Sequence, residues 1–257
     1  MSVVGVKFRN NNSIVYIKSD IDVQLNDYVI CSYDKGLKYG KVVSLSESFE
    51  VDELYSILRI SNNEDYDVYL DNLKKEKEAI TYTKELINKL KLNMNVVSCD
   101  FNFDKSLMLF YFTSDERIDF RELVKIIAGK YKTRIELRQI GIRDKANMVS
   151  GIGVCGRTLC CHDFLNKIST VTINMAKNQN ISLNPNKING ACGRLLCCLN
   201  YEDCVYTENR KKMPKIGSEV EYNGKKYKVL SIDVLKCSYT IDYNDEVKEI
   251  VINEEWN

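Results

Sequence analysis

The stretch Gly153-Val154-Cys155-Gly156-Arg157-Thr158-Leu159-Cys160-Cys161 occurs a second time as Gly190-Ala191-Cys192-Gly193-Arg194-Leu195-Leu196-Cys197-Cys198. The two copies hold six of the ten cysteines in the chain. A shared Gly-x-Cys-Gly-Arg-x-Leu-Cys-Cys pattern is too specific to arise by drift, so the rest of the chain is read outward from it. Glycines beside the first cysteine allow positive φ and close backbone approach. The text after it is helical in character, which predicts Cys160, Cys161, Cys197 and Cys198 in a first helical turn. Helix N-termini present unpaired N–H groups and partial positive charge, and Arg157 and Arg194 add to that charge. The arrangement favours thiolates, and thiolates ligate soft metals.

Two kinds of centre fit the count. A 4Fe-4S cluster takes four cysteines, and structural zinc also takes four ligands. Adjacent cysteines point in different directions, so at most one of each pair should join Cys155 or Cys192 at one centre. A two-by-two site within the chain and a site completed by a partner's cysteine both remain open. The spacing is not the Cys-x-x-Cys of zinc ribbons. His162 has Leu199 as its counterpart in the second copy, which argues against an essential ligand. Cys204 is a spare thiol, while Cys31, Cys99 and Cys237 read as small buried hydrophobes.

The flanking text predicts an α+β fold. Residues 1–68 form short β-rich runs broken by Asn, Asp and Gly, as in a small antiparallel β-barrel-like N-terminal part. Residues 69–150 read as a central α+β sandwich, ordered helix, strand, strand, helix, strand. Its first helix should start at an Asp71 cap, and its second should end at Gly129. Residues 151–213 hold the duplicated cysteine module, with a strand at Val171–Met175 and a helix from Leu199 to Met213. Residues 214–257 read as a small C-terminal β-barrel-like part with a type I′ turn at Asn223-Gly224.

Composition limits the function. With 257 residues the chain can bury adequate cores without disulfides. The start lacks a secretory pattern and no window is apolar enough to insert in a membrane, so a cytoplasmic protein is expected, where clustered thiols stay reduced. A net charge of +1, from 37 basic and 36 acidic residues, gives no bulk attraction for nucleic acid. A local patch of Arg134, Arg138, Arg143 and Lys145 is the candidate phosphate contact. A lone histidine makes a Ser-His-Asp constellation hard to build and no acid/base set stands out in its place, so a non-enzyme is expected.

The doubled Cys-Gly-Arg-x-Leu-Cys-Cys, with Asn180-Ile181-Ser182-Leu183-Asn184-Pro185 before the second copy and Leu199-Asn200-Tyr201-Glu202 after it, resembles the bacterial YaaT (RicT) family of cell-fate regulators. Thr158 stands where that family's pattern would have proline. The resemblance covers nearly the whole chain. It implies a non-catalytic subunit joined by two small helical proteins, YlbF-like and YmcA-like, in a cytosolic complex that assists RNase Y in processing mRNA. Effects on sporulation, competence and biofilm formation follow from that role. It also implies iron–sulfur clusters on Cys155, Cys160, Cys161, Cys192, Cys197 and Cys198 together with partner cysteines. The residues themselves leave room for a direct RNA- or DNA-binding protein with a zinc or metal-free module, and for a thiol redox enzyme.

Overall fold

The computed structural model describes residues 2–9, 14–46, 55–165, 168–243 and 246–252. It divides into two compact units, Met1–Asn166 and Lys167–Asn257. The boundary falls between the two cysteine phrases, so each unit carries one copy.

The first unit begins with β1 (Ser2–Phe8), β2 (Ile14–Ser19), β3 (Tyr28–Tyr33), β4 (Gly36–Ser46) and β5 (Ser56–Ile60). They form a closed barrel in the order β1-β2-β5-β3-β4. Strand alternation sends Val4, Val6 and Phe8 inward from β1, where they meet Ile17, Val29, Cys31, Val42 and Ile57. The last junction, β2 to β5, is parallel and, among the described residues, is registered by the pair Lys18 with Ser56.

Helix α1 (Asn63–Lys89) follows. It starts earlier than the Asp71 cap expected from sequence, because Asn62 and Asp65 form a reciprocal capping box. The Asn62 side chain accepts the Asp65 N–H at 2.8 Å, and the Asp65 carboxylate accepts the Asn62 N–H at 2.9 Å. Strands β6 (Asn95–Phe101) and β7 (Leu107–Thr113) make an antiparallel hairpin. After α2 (Arg121–Tyr131), strand β8 (Arg134–Gln139) returns parallel to β7. This is the helix, strand, strand, helix, strand order that the sequence predicts. One face of the sheet and the two helices bury Ala79, Ile87, Phe110, Leu123 and Ile127 in a common core.

Helix α2 runs through Gly129 rather than ending there. Its stop is Lys132, left-handed at φ 50°, whose N–H reaches the Ala128 carbonyl at 2.9 Å. Helix α3 (Ile142–Val149) and the single turn α4 (Cys160–Asp163) complete the unit.

The second unit carries α5 (Ile173–Asn178), α6 (Pro185–Ile188) and α7 (Cys197–Lys212). The strand expected at Val171–Met175 is therefore corrected to the start of a helix. Its alternating Val171, Ile173 and Met175 imitate a strand, but Ala176 is the fully buried residue, packed with Ile188 and Leu199. The terminal strands β9 (Glu219–Tyr222), β10 (Lys225–Asp233), β11 (Ser238–Tyr243) and β12 (Glu246–Val251) form a four-stranded sheet in the order β12-β11-β10-β9.

That sheet is open among the described residues, which corrects the expected C-terminal barrel. Edge strand β9 has only four residues and edge strand β12 is almost wholly exposed, so among the described residues the two edges do not pair to close a cylinder. The predicted turn at Asn223-Gly224 is present, with both residues left-handed. Cys237 is half-buried in the β10–β11 turn at φ 50° and is not a core residue.

Candidate metal centre: a duplicated hairpin with thiols

Each cysteine phrase folds into the same short device. In the first copy, the Gly153 N–H donates to the Arg157 carbonyl at 2.8 Å and the Gly156 N–H donates back to the Gly153 carbonyl at 3.0 Å. In the second, Gly190 bonds Arg194 at 2.8 Å and Gly193 bonds Gly190 at 2.8 Å. Bridges Ile152–Thr158 and Asn189–Leu195 close the two hairpins. Their three-residue loops, Val154-Cys155-Gly156 and Ala191-Cys192-Gly193, are a turn followed by a left-handed glycine. Gly156 has φ +78° and Gly193 φ +74°. The first glycine of each phrase is not left-handed, so only the second one is required by the backbone.

The strand leaving each hairpin turns straight into a helix. Leu159 and Leu196 stand before the helices with nearly identical backbone angles, φ −56° and ψ 128° against φ −55° and ψ 130°. Cys160 and Cys161 open α4, and Cys197 and Cys198 open α7, as the sequence predicts. One thiol therefore sits on each loop and two sit in the first turn of each following helix.

The thiols differ in access. Cys155 is exposed and Cys160 half-buried, whereas Cys161 is buried. Cys192, Cys197 and Cys198 are all half-buried. Arg157 and Arg194 are exposed beside their loops. None of the ten cysteines forms a disulfide. Soft sulfur donors on a loop and at a helix start suit thiolate coordination. Within each unit, among the described residues, no group of three or more His, Cys, Asp or Glu side chains forms a ready-made metal site.

Other sulfurs are placed differently. Cys31 and Cys99 lie in the barrel and the central core, and burial pushes the Cys31 thiol up to about 12 and raises Cys99 as well. Cys204 is exposed on α7. His162 has its Nδ1 at 2.6 Å from the Asn147 carbonyl, so it fastens α4 to α3.

The basic residues of the sequence patch fall on two elements of the first unit. Arg134 and Arg138 lie on β8, Arg143 and Lys145 on α3. Glu136, between the two arginines, pairs with Arg134 at 2.8 Å and with Lys35 at 2.9 Å. Part of the charge of that strand face is thereby spent inside the protein.

Family models place these elements. The PSP1 C-terminal conserved region matches residues 55–140, from β5 to the end of β8, and the third domain of PSP1-like proteins matches residues 170–213, which hold the second copy. Over nearly the whole chain, the sequence is 38% identical to Stage 0 sporulation protein YaaT of Bacillus subtilis, covering 99% of this chain and 94% of that protein.

The chain belongs to the YaaT family.

Shorter likenesses extend beyond that family. An uncharacterised protein of Schizosaccharomyces pombe is 27% identical over 51% of this chain and 22% of its own length. Protein PSP1 of Saccharomyces cerevisiae is 42% identical over 23% of this chain and 6% of its own. No solved structure matches the chain. Among the described residues, no helix of this YaaT-family chain is long and apolar enough to cross a membrane.

Proposed function

We propose that this YaaT-family chain is a non-catalytic subunit of a cytosolic regulatory complex, with YlbF-like and YmcA-like helical partners, that assists RNase Y in processing mRNA. Sporulation, competence and biofilm formation are the outputs expected of such a complex. The observation that carries the reading is the duplicated hairpin, which twice presents a thiol on a loop and two at the start of a helix.

In this reading Cys155 with Cys160 in one copy, and Cys192 with Cys197 or Cys198 in the other, each contribute ligands to a 4Fe-4S cluster. Cys161 packs inward beside them. Arg157 and Arg194 offset the negative charge of the thiolates. Among the described residues neither copy gathers three ligating side chains within its own unit, and in this reading donors from beyond the copy, including partner cysteines, complete each centre. The bound cluster would supply a rigid, charge-bearing cross-link between subunits. The chain's own side chains supply the interface: Val149, Ile152 and Val154, next to Cys155, are 64%, 74% and 75% exposed. Apolar side chains this open suit a surface that a partner covers.

The test is anaerobic co-expression of the full chain with its two helical partners, followed by absorbance spectra and iron and sulfide analysis. A brown complex that loses iron in Cys155→Ser and Cys192→Ser variants supports the reading. A colourless complex without iron or sulfide overturns it. Bound zinc would make the module a structural knuckle instead.

A further inference from the structure

Three adjacent strands of the barrel set a row of side chains on its outer surface. Lys7 on β1 stands opposite Lys41 on β4, and Lys41 stands opposite Tyr28 on β3. Their chain neighbours Val6, Phe8, Val42 and Val29 fill the barrel core, so strand alternation turns this row outward. Like charges directly opposite each other in a sheet are destabilising. Neither lysine makes an ion pair among the described residues. The row therefore carries two positive charges that no described carboxylate offsets.

The row runs into an aromatic stack. Tyr28 stacks on Tyr39 of β4, with centroids 5.5 Å apart and planes at 23°, and Tyr39 stacks on Tyr69 of α1 at 4.4 Å and 16°. Tyr39 is the middle ring of three. Tyr28 ends the stack and is 45% exposed, with Lys41 Nζ at 5.9 Å from its centroid.

These residues line one groove of about 220 Å³ within the first unit, together with Arg9. The Arg9 guanidinium gives one N–H to Glu76 of α1 at 2.9 Å and stays exposed, so it is a third, anchored cation. The lining holds three cations, three tyrosines and no carboxylate, and the rest of it is apolar. Its volume falls below the roughly 300–1,000 Å³ of sites that enclose a small molecule. A groove of this size suits a chain that crosses it and seats one unit.

Cations beside an open ring are the combination that binds single strands: backbone phosphates meet the charges while a base continues the stack. An acidic peptide would satisfy the lysines but brings no flat face to Tyr28. We propose that this groove binds a single-stranded nucleic acid, with one base stacked on Tyr28 and adjoining phosphates at Lys7 and Lys41. Under the proposed role in mRNA processing, on which this last assignment rests, the strand is the transcript. The groove itself is independent of the thiol hairpins: its failure leaves the cluster reading intact, and a colourless complex leaves the groove intact.

The test is fluorescence anisotropy of the full chain, purified in air and without partners, against a labelled adenosine decamer over a salt series. Tyr28→Ala should weaken binding about tenfold or more without changing the salt dependence, and Tyr28→Phe should bind as the parent does. Lys7→Gln combined with Lys41→Gln should flatten the slope of log affinity against log salt by about 1.4, which is about 0.7 for each lost phosphate contact. Melting curves verify that the variants fold. The same decamer annealed to its complement should bind more weakly, because its bases are already stacked, and unlabelled polyglutamate should not compete. No binding at about 0.1 mM protein in low salt, equal affinity for the duplex, competition by polyglutamate, unchanged affinity in Tyr28→Ala or an unchanged slope in the lysine variant overturns the proposal. Tighter binding of a deoxyadenosine decamer overturns the assignment to the transcript.

Discussion

Gly156 and Gly193 hold the same left-handed backbone, at φ +78° and +74°, each directly after the loop cysteine of its hairpin. A β-carbon at either position would meet no other atom within 4 Å, so the requirement is purely conformational. Alanine there should cost about 1–2 kcal/mol for the left-handed angle. Gly153→Ala and Gly190→Ala keep an ordinary φ and nearest contacts of 3.5 and 3.6 Å, so they should cost less. Urea unfolding of the four variants checks the order. Under the proposed cluster reading, the same pair of strained variants should also lose iron from the complex, because the loop thiol is aimed by that turn.

The β3–β4 turn is locked onto the β6–β7 loop. Phe103 donates its N–H to the Leu37 carbonyl at 2.8 Å, and the Asn102 amide, 1% exposed, reaches the Lys35 carbonyl at 3.2 Å. A β-carbon on Gly36 would come within 2.0 Å of Asn102 Nδ2. Gly36→Ala should therefore destabilise the first unit by about 1–3 kcal/mol through overpacking. A drop in melting temperature, with unchanged helix content in the folded state, is the expected reading.

Glu76 makes stability depend on pH. Burial lifts its carboxyl from 4.5 to about 7; Asp100 pushes the same way, while the Phe101 N–H and Arg9 oppose the rise. The folded state thus binds the proton more readily than the unfolded chain. The contribution is fully present below about pH 4.5 and is lost as pH rises through about 7, a change on the order of 3 kcal/mol. Glu76→Gln should flatten this slope. Urea midpoints at pH 5 and pH 8 measure it; an equal slope in both proteins would reject the assignment.

The start of α1 is held by charge as well as by its capping box. Two guanidinium nitrogens of Arg59, Nη1 and Nη2, donate to the Asp65 carboxylate, which keeps Asp65 below the usual carboxylate range. Asp65→Ala removes this pair and half of the box. It should cost about 1–2 kcal/mol, most of it from the cap, since the Arg59 side chain is 50% exposed. Asn62→Ala should cost a comparable amount, and equilibrium unfolding compares the two.

Periodicity made the central layer legible: Leu86, Ile87, Phe110 and Ile127 recur at the spacings their elements require, and the doubled Cys-Gly-Arg-x-Leu-Cys-Cys predicted the helical placement of Cys160 and Cys197. What misled was local text whose pattern fits two periods. Val171, Ile173 and Met175 alternate as in a strand, yet Ala176 decides the buried face. The openness of the terminal sheet was not legible because alternation along a strand tells which face is apolar, not which two edges pair. Asn72 and Glu76 escaped notice as ordinary polar residues of a charged helix. Their signal was positional: they lie in line with Ala79, Thr83 and Leu86, on the side that should have been apolar.

Among the described residues the barrel has one thin seam, the Lys18–Ser56 pair of β2 and β5, against six registered pairs between β1 and β2. Strand β5 leaves that seam and enters α1 almost at once, Ile60 being followed by the Asn62 cap. A shift of the long helix would therefore be felt first by β5, whose β3 side is zipped through Val29–Ile60 and its neighbours. Helix and cylinder thus share one short strand as their common hinge-pin, and neither can be repositioned without the other.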